Sequence, residues 1–342
     1  MLYSILFITS LVLCDAALSP RKVIVDVDGG VDDYQALVIL MNADKLKIIK
    51  IEAILCTKGN TELVHVENNI LRLLEAASRT DIPVYSGSYK QIMPIDGGTQ
   101  RYYGIDGFGD LKHEKQPNRK LLKKVISPTY VFDLLKKYPK QISLVLLGPQ
   151  TNNAIGFRIY KEYAKYLKEM YIMGGNIRNT EPEFNILVDP EAAEIVFSTT
   201  ECPIFLLPFE TCQETTITNG ELLNMTDIIS NPVWNLMMKA EAKLMAERPD
   251  DPKDKWVSCD PVAALAYLSP KKTIKVLTKR KVSVKLDEPN RGSLIVDNPT
   301  TNNSINIIEQ IDWNYFMKSF KTSFADICKC GIFRRCVVQN VL

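Results

Sequence analysis

The chain lacks any strong charge bias: 42 Lys and Arg stand against 40 Asp and Glu, a formal net charge of +2. Nowhere do five like charges run together, so the basic face that nucleic acid or anionic lipid needs is missing. Also missing are a Gly/Ser- or Pro-rich linker and an internal repeat, and 16 Gly and 18 Pro are too few for collagen-like or low-complexity sequence. No apolar run reaches the roughly 20 residues that span a bilayer. What is left, 342 residues at 46% hydrophobic and 24% charged, describes a globular chain able to bury a large core. A small, uncharged or weakly charged ligand is expected.

One shorter apolar run stands at Leu2 to Leu13, followed by Cys14, Asp15 and Ala16. Small residues at 14 and 16 fit the −3 and −1 positions of a signal-peptide cleavage site, although the usual positive charge before the core is absent. The expectation is a secreted protein with residues 1–16 removed. Two sequons, Asn224-Met-Thr226 and Asn302-Asn-Ser304, agree with export. Without Cys14, seven cysteines remain: 56, 202, 212, 259, 328, 330 and 336. An odd number in an oxidising compartment leaves a thiol free or paired between chains. The terminal C-x-C-x5-C group lacks the paired spacing of a zinc site and reads as a local staple on the tail.

From Lys22 onward, short β-branched runs alternate with helical patterns: VIVDVD then DDYQALVILMN, IIKIEAILCT then ELVHVENNILRLLEAAS, ISLVLLG then TNNAIGFRIYKEYA. EMYIMGG and PIFLLPFE continue the strands around the helix DPEAAEIVFST. This order predicts a single α/β domain, residues 17–324, with a mostly parallel central sheet and helices on both faces in Rossmann-like fashion, followed by a Cys-containing tail at 325–342. Loop-forming sequence at 91–116 and 246–255 is expected to wall a site at the carboxyl ends of the strands.

The sharpest motif is Asp26-Val-Asp28-Gly-Gly-Val-Asp32-Asp33, where the first strand gives way to the first helix. Gly29 and Gly30 allow a tight turn that brings up to four carboxylates into one pocket. Like charges so close raise one another's pKa unless a cation neutralises them. With oxygen donors alone, Ca²⁺ or Mg²⁺ is favoured over zinc, and a loose carboxylate cage favours Ca²⁺. The plainer reading makes Asp32 and Asp33 helix-capping residues and Asp26 and Asp28 solvated strand ends. A phosphatase of the haloacid dehalogenase type also ends its strand in Asp-x-Asp-Gly, but here Gly30 follows and Asp32-Asp33 comes too soon for that pattern.

Taken together, DVDGGVDD, CTKGN, YYGIDGFGD, LGPQTNNA, MGGN, EFNILVDPEAA and CDPVAALAYL, in this order, resemble the nucleoside hydrolase family, the inosine–uridine-preferring enzymes that cut the N-glycosidic bond of ribonucleosides. The resemblance implies Ca²⁺ held by Asp28, Asp33, the backbone carbonyl of Leu147 and Asp260. It implies Asp28 as general base toward a water polarised by the cation, and ribose hydroxyls gripped by Asp32, Asn60, Asn176, Glu183 and Asn185. Where the best-known branch has His before the last Asp, this chain has Cys259, so it is expected to belong to an animal-type branch with Cys in place of the active-site His. Whether Cys259 protonates the leaving base or only packs is open. Relatives imply a dimer or tetramer.

The expected activity is that of a secreted ribonucleoside hydrolase on purine or pyrimidine nucleosides. The rivals are a catalytically weakened relative that only binds nucleosides and, less in keeping with the motif, the phosphatase.

Overall fold

The computed structural model describes residues 19–93, 101–113, 115–199, 201–247, 253–298 and 304–328. The apolar leader, the sequon at Asn302, and Cys330 and Cys336 of the expected staple lie outside the described residues. Among them are the strands β1 (Arg21–Val27), β2 (Ile49–Cys56), β3 (Val84–Ser86), β4 (Leu122–Lys123), β5 (Ile142–Leu146), β6 (Glu169–Met173), β7 (Ile204–Leu207), β8 (Ile274–Val284), β9 (Leu294–Asp297) and β10 (Ile305–Ile311). The helices are α1 (Val31–Lys45), α2 (Leu63–Ala76), α3 (Ser127–Lys137), α4 (Thr151–Ile159), α5 (Tyr163–Tyr166), α6 (Phe184–Val188) and α7 (Pro190–Phe197). They continue with α8 (Phe209–Gln213), α9 (Asn219–Asn224), α10 (Pro232–Glu247), α11 (Asp260–Leu268), α12 (Pro270–Thr273) and α13 (Trp313–Asp326).

The strands form one sheet in the order β4-β3-β2-β1-β5-β6-β7-β10-β8-β9. All pairings are parallel except β10 with β8 and β8 with β9. This is the single α/β domain with a mostly parallel, helix-covered sheet that the strand–helix alternation predicts. Why the parallel strands read as unbroken apolar runs is visible in β1. Val23, Val25 and Val27 belong to a core with Leu37 and Leu40 of α1 and Phe316, Phe320 and Phe324 of α13. Ile24 faces the other way, into a core with Leu144, Leu146, Ala154 of α4 and Phe197 of α7. A strand covered on both faces must be apolar at every position, and each such side chain contributes roughly 1.5–3 kcal/mol of burial. The antiparallel end behaves differently: β8 alternates partly buried and exposed residues over most of its length, as a sheet with one wetted face does.

The sheet order places the site. From β1 the chain moves outward through β2, β3 and β4, then returns to the other flank of β1 with β5. Strand order reverses at β1/β5, and a crevice opens at their carboxyl ends, where Asp28 and Leu147 stand one residue beyond the strands.

Candidate active site

Asp28 follows β1 and lies in a slot made by two backbones. A Cβ added to Gly59 would come within 2.0 Å of Asp28 Oδ2, and one on Gly148 within 2.7 Å of Asp28 Cβ, so only glycine permits the approach. The Asn60 N–H donates to Asp28 Oδ2 at 2.8 Å. Gly29 turns the chain with φ +84° against Val66, and Gly30 caps α1. Asp33, on the first turn of α1, reaches back to accept the Gly30 N–H at 2.8 Å and the Asp28 N–H at 3.2 Å. Asp260 opens α11, with Pro261 in the first turn.

Asp28, Asp32, Asn60, Leu147, Asn176, Glu183, Asn185, Cys259 and Asp260 all line one cavity of about 400 Å³, and Asp33 lies buried beside it. Oxygens of Asp32, Asp33 and Asp260 fall within 4.8 Å of one another, the spacing of a metal-binding group. That group contains Asp32, expected on the substrate, and not Asp28, expected on the metal. In the structure the Leu147 carbonyl accepts from Asn185 Nδ2 at 2.7 Å. Asp26 is not in the pocket at all. It is buried behind it, taking hydrogen bonds from Asn152 Nδ2 at 3.1 Å and Asn153 Nδ2 at 3.0 Å of α4. The four carboxylates of the motif therefore divide three and one, because Asp26 still lies within β1 and faces the helix layer.

Burial sets the electrostatics. Desolvation, reinforced by the neighbouring carboxylates, pushes Asp33 and Asp260 well above the usual carboxylate range and Asp28 up to about 7. Asp32 is raised by burial too, an effect that the neighbouring Tyr103 side chain and Cys259 backbone offset only in part. Among the described residues no Lys or Arg lines the cavity. A buried anionic cluster without a protein cation, offering oxygen donors alone, fits a hard divalent ion, and Asp32, Asp33 and Asp260 form a Ca²⁺ site.

The polar wall carries Asn60, Asn176, Glu183 and Asn185. Glu183 caps α6, its Oε2 accepting from Gly175 N–H at 2.8 Å and Asn185 N–H at 3.0 Å, and burial raises its pKa. Asn176 Nδ2 donates to Glu181 O at 3.0 Å, while its Oδ1 is buried without a partner. The remaining wall is largely apolar: Tyr102, Tyr103, Met173, Phe184, Phe209 and Val257. Of these, Tyr102, Tyr103, Met173 and Phe184 lie inside the YYGIDGFGD, MGGN and EFN motifs without being marked as site residues, and Phe209 carries no signal beyond ending a strand segment.

The region from 23 to 318 matches the family described as inosine-uridine preferring nucleoside hydrolase, and the chain belongs to that family. It is 33% identical over 187 residues to a probable uridine nucleosidase 2 of Arabidopsis thaliana, covering 52% of this chain and 56% of the relative. It is 31% identical over 222 residues to a pyrimidine-specific ribonucleoside hydrolase of Salmonella arizonae, covering 63% and 68%. The chain thus spans little more than half the length of several curated relatives it matches. A solved inosine-guanosine nucleoside hydrolase superposes with a TM-score of 0.78 at 25% identity, covering 89% of this chain and 98% of that one.

The expected assignment to an animal-type branch with Cys replacing an active-site His is corrected by these findings. The family match is to the inosine-uridine preferring group, and the centre is defined by the carboxylates Asp32, Asp33 and Asp260. Cys259 lines the same cavity, directly before Asp260, and its backbone offsets part of the burial-driven rise at Asp32. Its thiol is buried, and the neighbouring Cys212 together with that burial pushes it well above its ordinary pKa.

Proposed function

We propose that this chain is a Ca²⁺-dependent ribonucleoside hydrolase that cleaves the N-glycosidic bond of purine or pyrimidine ribonucleosides to ribose and free base. The observation that carries this reading is the cavity itself, in which Asp28 shares a wall with Asp32 and Asp260 of the cation-binding trio and with the hydrogen-bonding side chains Asn60, Asn176, Glu183 and Asn185. The plant and bacterial relatives, a probable uridine nucleosidase and a pyrimidine-specific ribonucleoside hydrolase, point the same way.

Bound by Asp32, Asp33 and Asp260, the cation would supply positive charge that makes a nearby water a nucleophile at neutral pH. Asp28 is placed to accept the proton of the attacking water. Its carboxylate is fixed for the task by the Asn60 N–H and the two glycine backbones. As the water oxygen joins the anomeric carbon, the bond to the base nitrogen breaks and its electron pair leaves with the base, which takes up a proton from solvent. Asn60, Asn176, Glu183 and Asn185 hold the ribose hydroxyls, so a substrate lacking one leaves a buried polar group unpaired and reacts far more slowly. Phe184, Phe209, Tyr102 and Tyr103 offer apolar and aromatic surface to the base. Incubation with inosine or uridine should release free base and ribose in equal amounts; intact nucleoside after prolonged incubation with saturating Ca²⁺ would leave only a binding role.

We also propose export, with the apolar leader cleaved near Ala17 and a domain running from 17 to 324 ahead of the short tail. Asn224, exposed at the end of α9, is accessible to a glycan. Amino-terminal sequencing of the mature protein tests this, and an intact Met1 would refute it. A dimer or tetramer, on the family resemblance, is tested by light scattering of the purified chain.

A further inference from the structure

Glu210 on α8 is buried, at 7% exposure, and no sequence motif pointed to it. Its carboxylate is spent on one stretch of backbone. Oε2 accepts the Ile177 N–H at 2.6 Å, and Oε1 accepts the Arg178 N–H at 2.8 Å and Asn179 Nδ2 at 3.0 Å. The Arg178 guanidinium turns away to Glu214, so the bond pattern is not an ion pair that happens to pass the loop. On the other side of Asn176, the Gly175 N–H is held by Glu183 and the Gly175 carbonyl accepts the Phe209 N–H at 3.0 Å. The peptide groups flanking Asn176 are thus tied down from both directions, by two buried carboxylates and by the start of α8. Between them sits the one pocket side chain among the described residues whose buried amide oxygen has no partner. An unpaired buried acceptor costs free energy unless a ligand supplies the donor.

We infer that Glu210 is a positioning residue of the nucleoside pocket: by gripping the amides of 177 and 178 it fixes Asn176 with its side-chain oxygen free to accept a hydrogen bond from bound substrate. This rests on the reading of the cavity as a nucleoside site. A carboxylate suits the task because it only accepts, and three donors converge on it. A glutamine of the same shape would turn an NH₂ group toward at least one of them, and charge-assisted bonds would be lost.

The test is a double-mutant cycle on the full chain with Ca²⁺ present, using Glu210→Gln, Asn176→Ala and the pair, read as kcat/KM on inosine and uridine. Glu210→Gln and Asn176→Ala should each lower kcat/KM by about tenfold, and the pair should be no worse than Asn176→Ala alone within about twofold. Ca²⁺ affinity should be unchanged in all three. Multiplying losses would mean that Glu210 acts only on general stability and would overturn the inference, as would an Asn176→Ala variant with full activity. Should Glu210→Gln fail to fold, Glu210→Asp, which keeps the charge and withdraws it by one methylene, enters the same cycle with the same criterion. Asp28→Asn run alongside separates the two readings. If it abolishes turnover while the cycle is additive, only the role of Glu210 falls; if it leaves turnover intact, the pocket reading itself falls.

Discussion

Asn60 and Asp28 are joined across the sheet: the backbone N–H of the first donates to Oδ2 of the second at 2.8 Å, linking the turn after β2 to the end of β1. The carboxylate therefore points into the cavity by construction of the fold, and not by choice of a free rotamer.

Asp28→Asn keeps the side-chain volume but removes the charge and the proton acceptor. A fall in kcat of about 10² to 10⁴ is expected, the range for loss of a general base, with the circular dichroism spectrum unchanged. An unaltered kcat would place the base elsewhere.

Gly59→Ala probes the same slot from the backbone side. Its new methyl would meet the Asp28 carboxylate oxygen at 2.0 Å, so the carboxylate must swing aside. Because a misplacement of about 1 Å can cost about 10²-fold in rate, kcat should drop by that order while the thermal midpoint moves little. Wild-type turnover in this variant would mean that the position of Asp28 is immaterial.

The raised carboxyl pKa values set a pH dependence with a definite sign. In chelated protein Asp28 titrates at about 7, and Asp33 and Asp260 lie well above the usual range, whereas the unfolded chain titrates near the ordinary value of about 4. Between those limits the folded state holds protons that the unfolded state has released, so stability falls as pH rises. Ca²⁺ binds the ionised carboxylates and cancels this loss. The gain in melting temperature on adding Ca²⁺ should be small at about pH 5 and grow toward about pH 8. A gain that is largest in acid would contradict the site.

Cys259→Ser tests the packing role of the thiol. A buried hydroxyl beside Cys212 replaces a buried sulfur, at a cost of about 1–3 kcal/mol in stability if it finds no partner. Inosine and an activated nitrophenyl riboside should be affected alike, since a thiol that only packs donates no proton to the leaving base. A loss confined to inosine would show that the thiol protonates the leaving base.

Much of this architecture is legible in the linear sequence because the parallel strands are buried on both faces and end abruptly in Asp28, Leu147-Gly148 and Met173-Gly174. What was not legible depends on geometry across elements. Asp26 and Asp28 share a strand parity, yet Asp26 is claimed by Asn152 and Asn153 of α4, a pairing 126 and 127 residues away in sequence. Asp32 joins Asp33 and Asp260 because a helical turn, starting at Gly30, sets where consecutive side chains project. Glu210 offers no signal in sequence, since two of its three partners are backbone amides, which every residue but proline has.

The central claim is tested most directly by following free-base release from inosine and uridine by protein first stripped with a calcium chelator and then resupplied with Ca²⁺. Turnover that vanishes on chelation and returns with Ca²⁺, while Asp28→Asn stays inactive in both states, is the predicted result. Equal base release with and without the cation would contradict it.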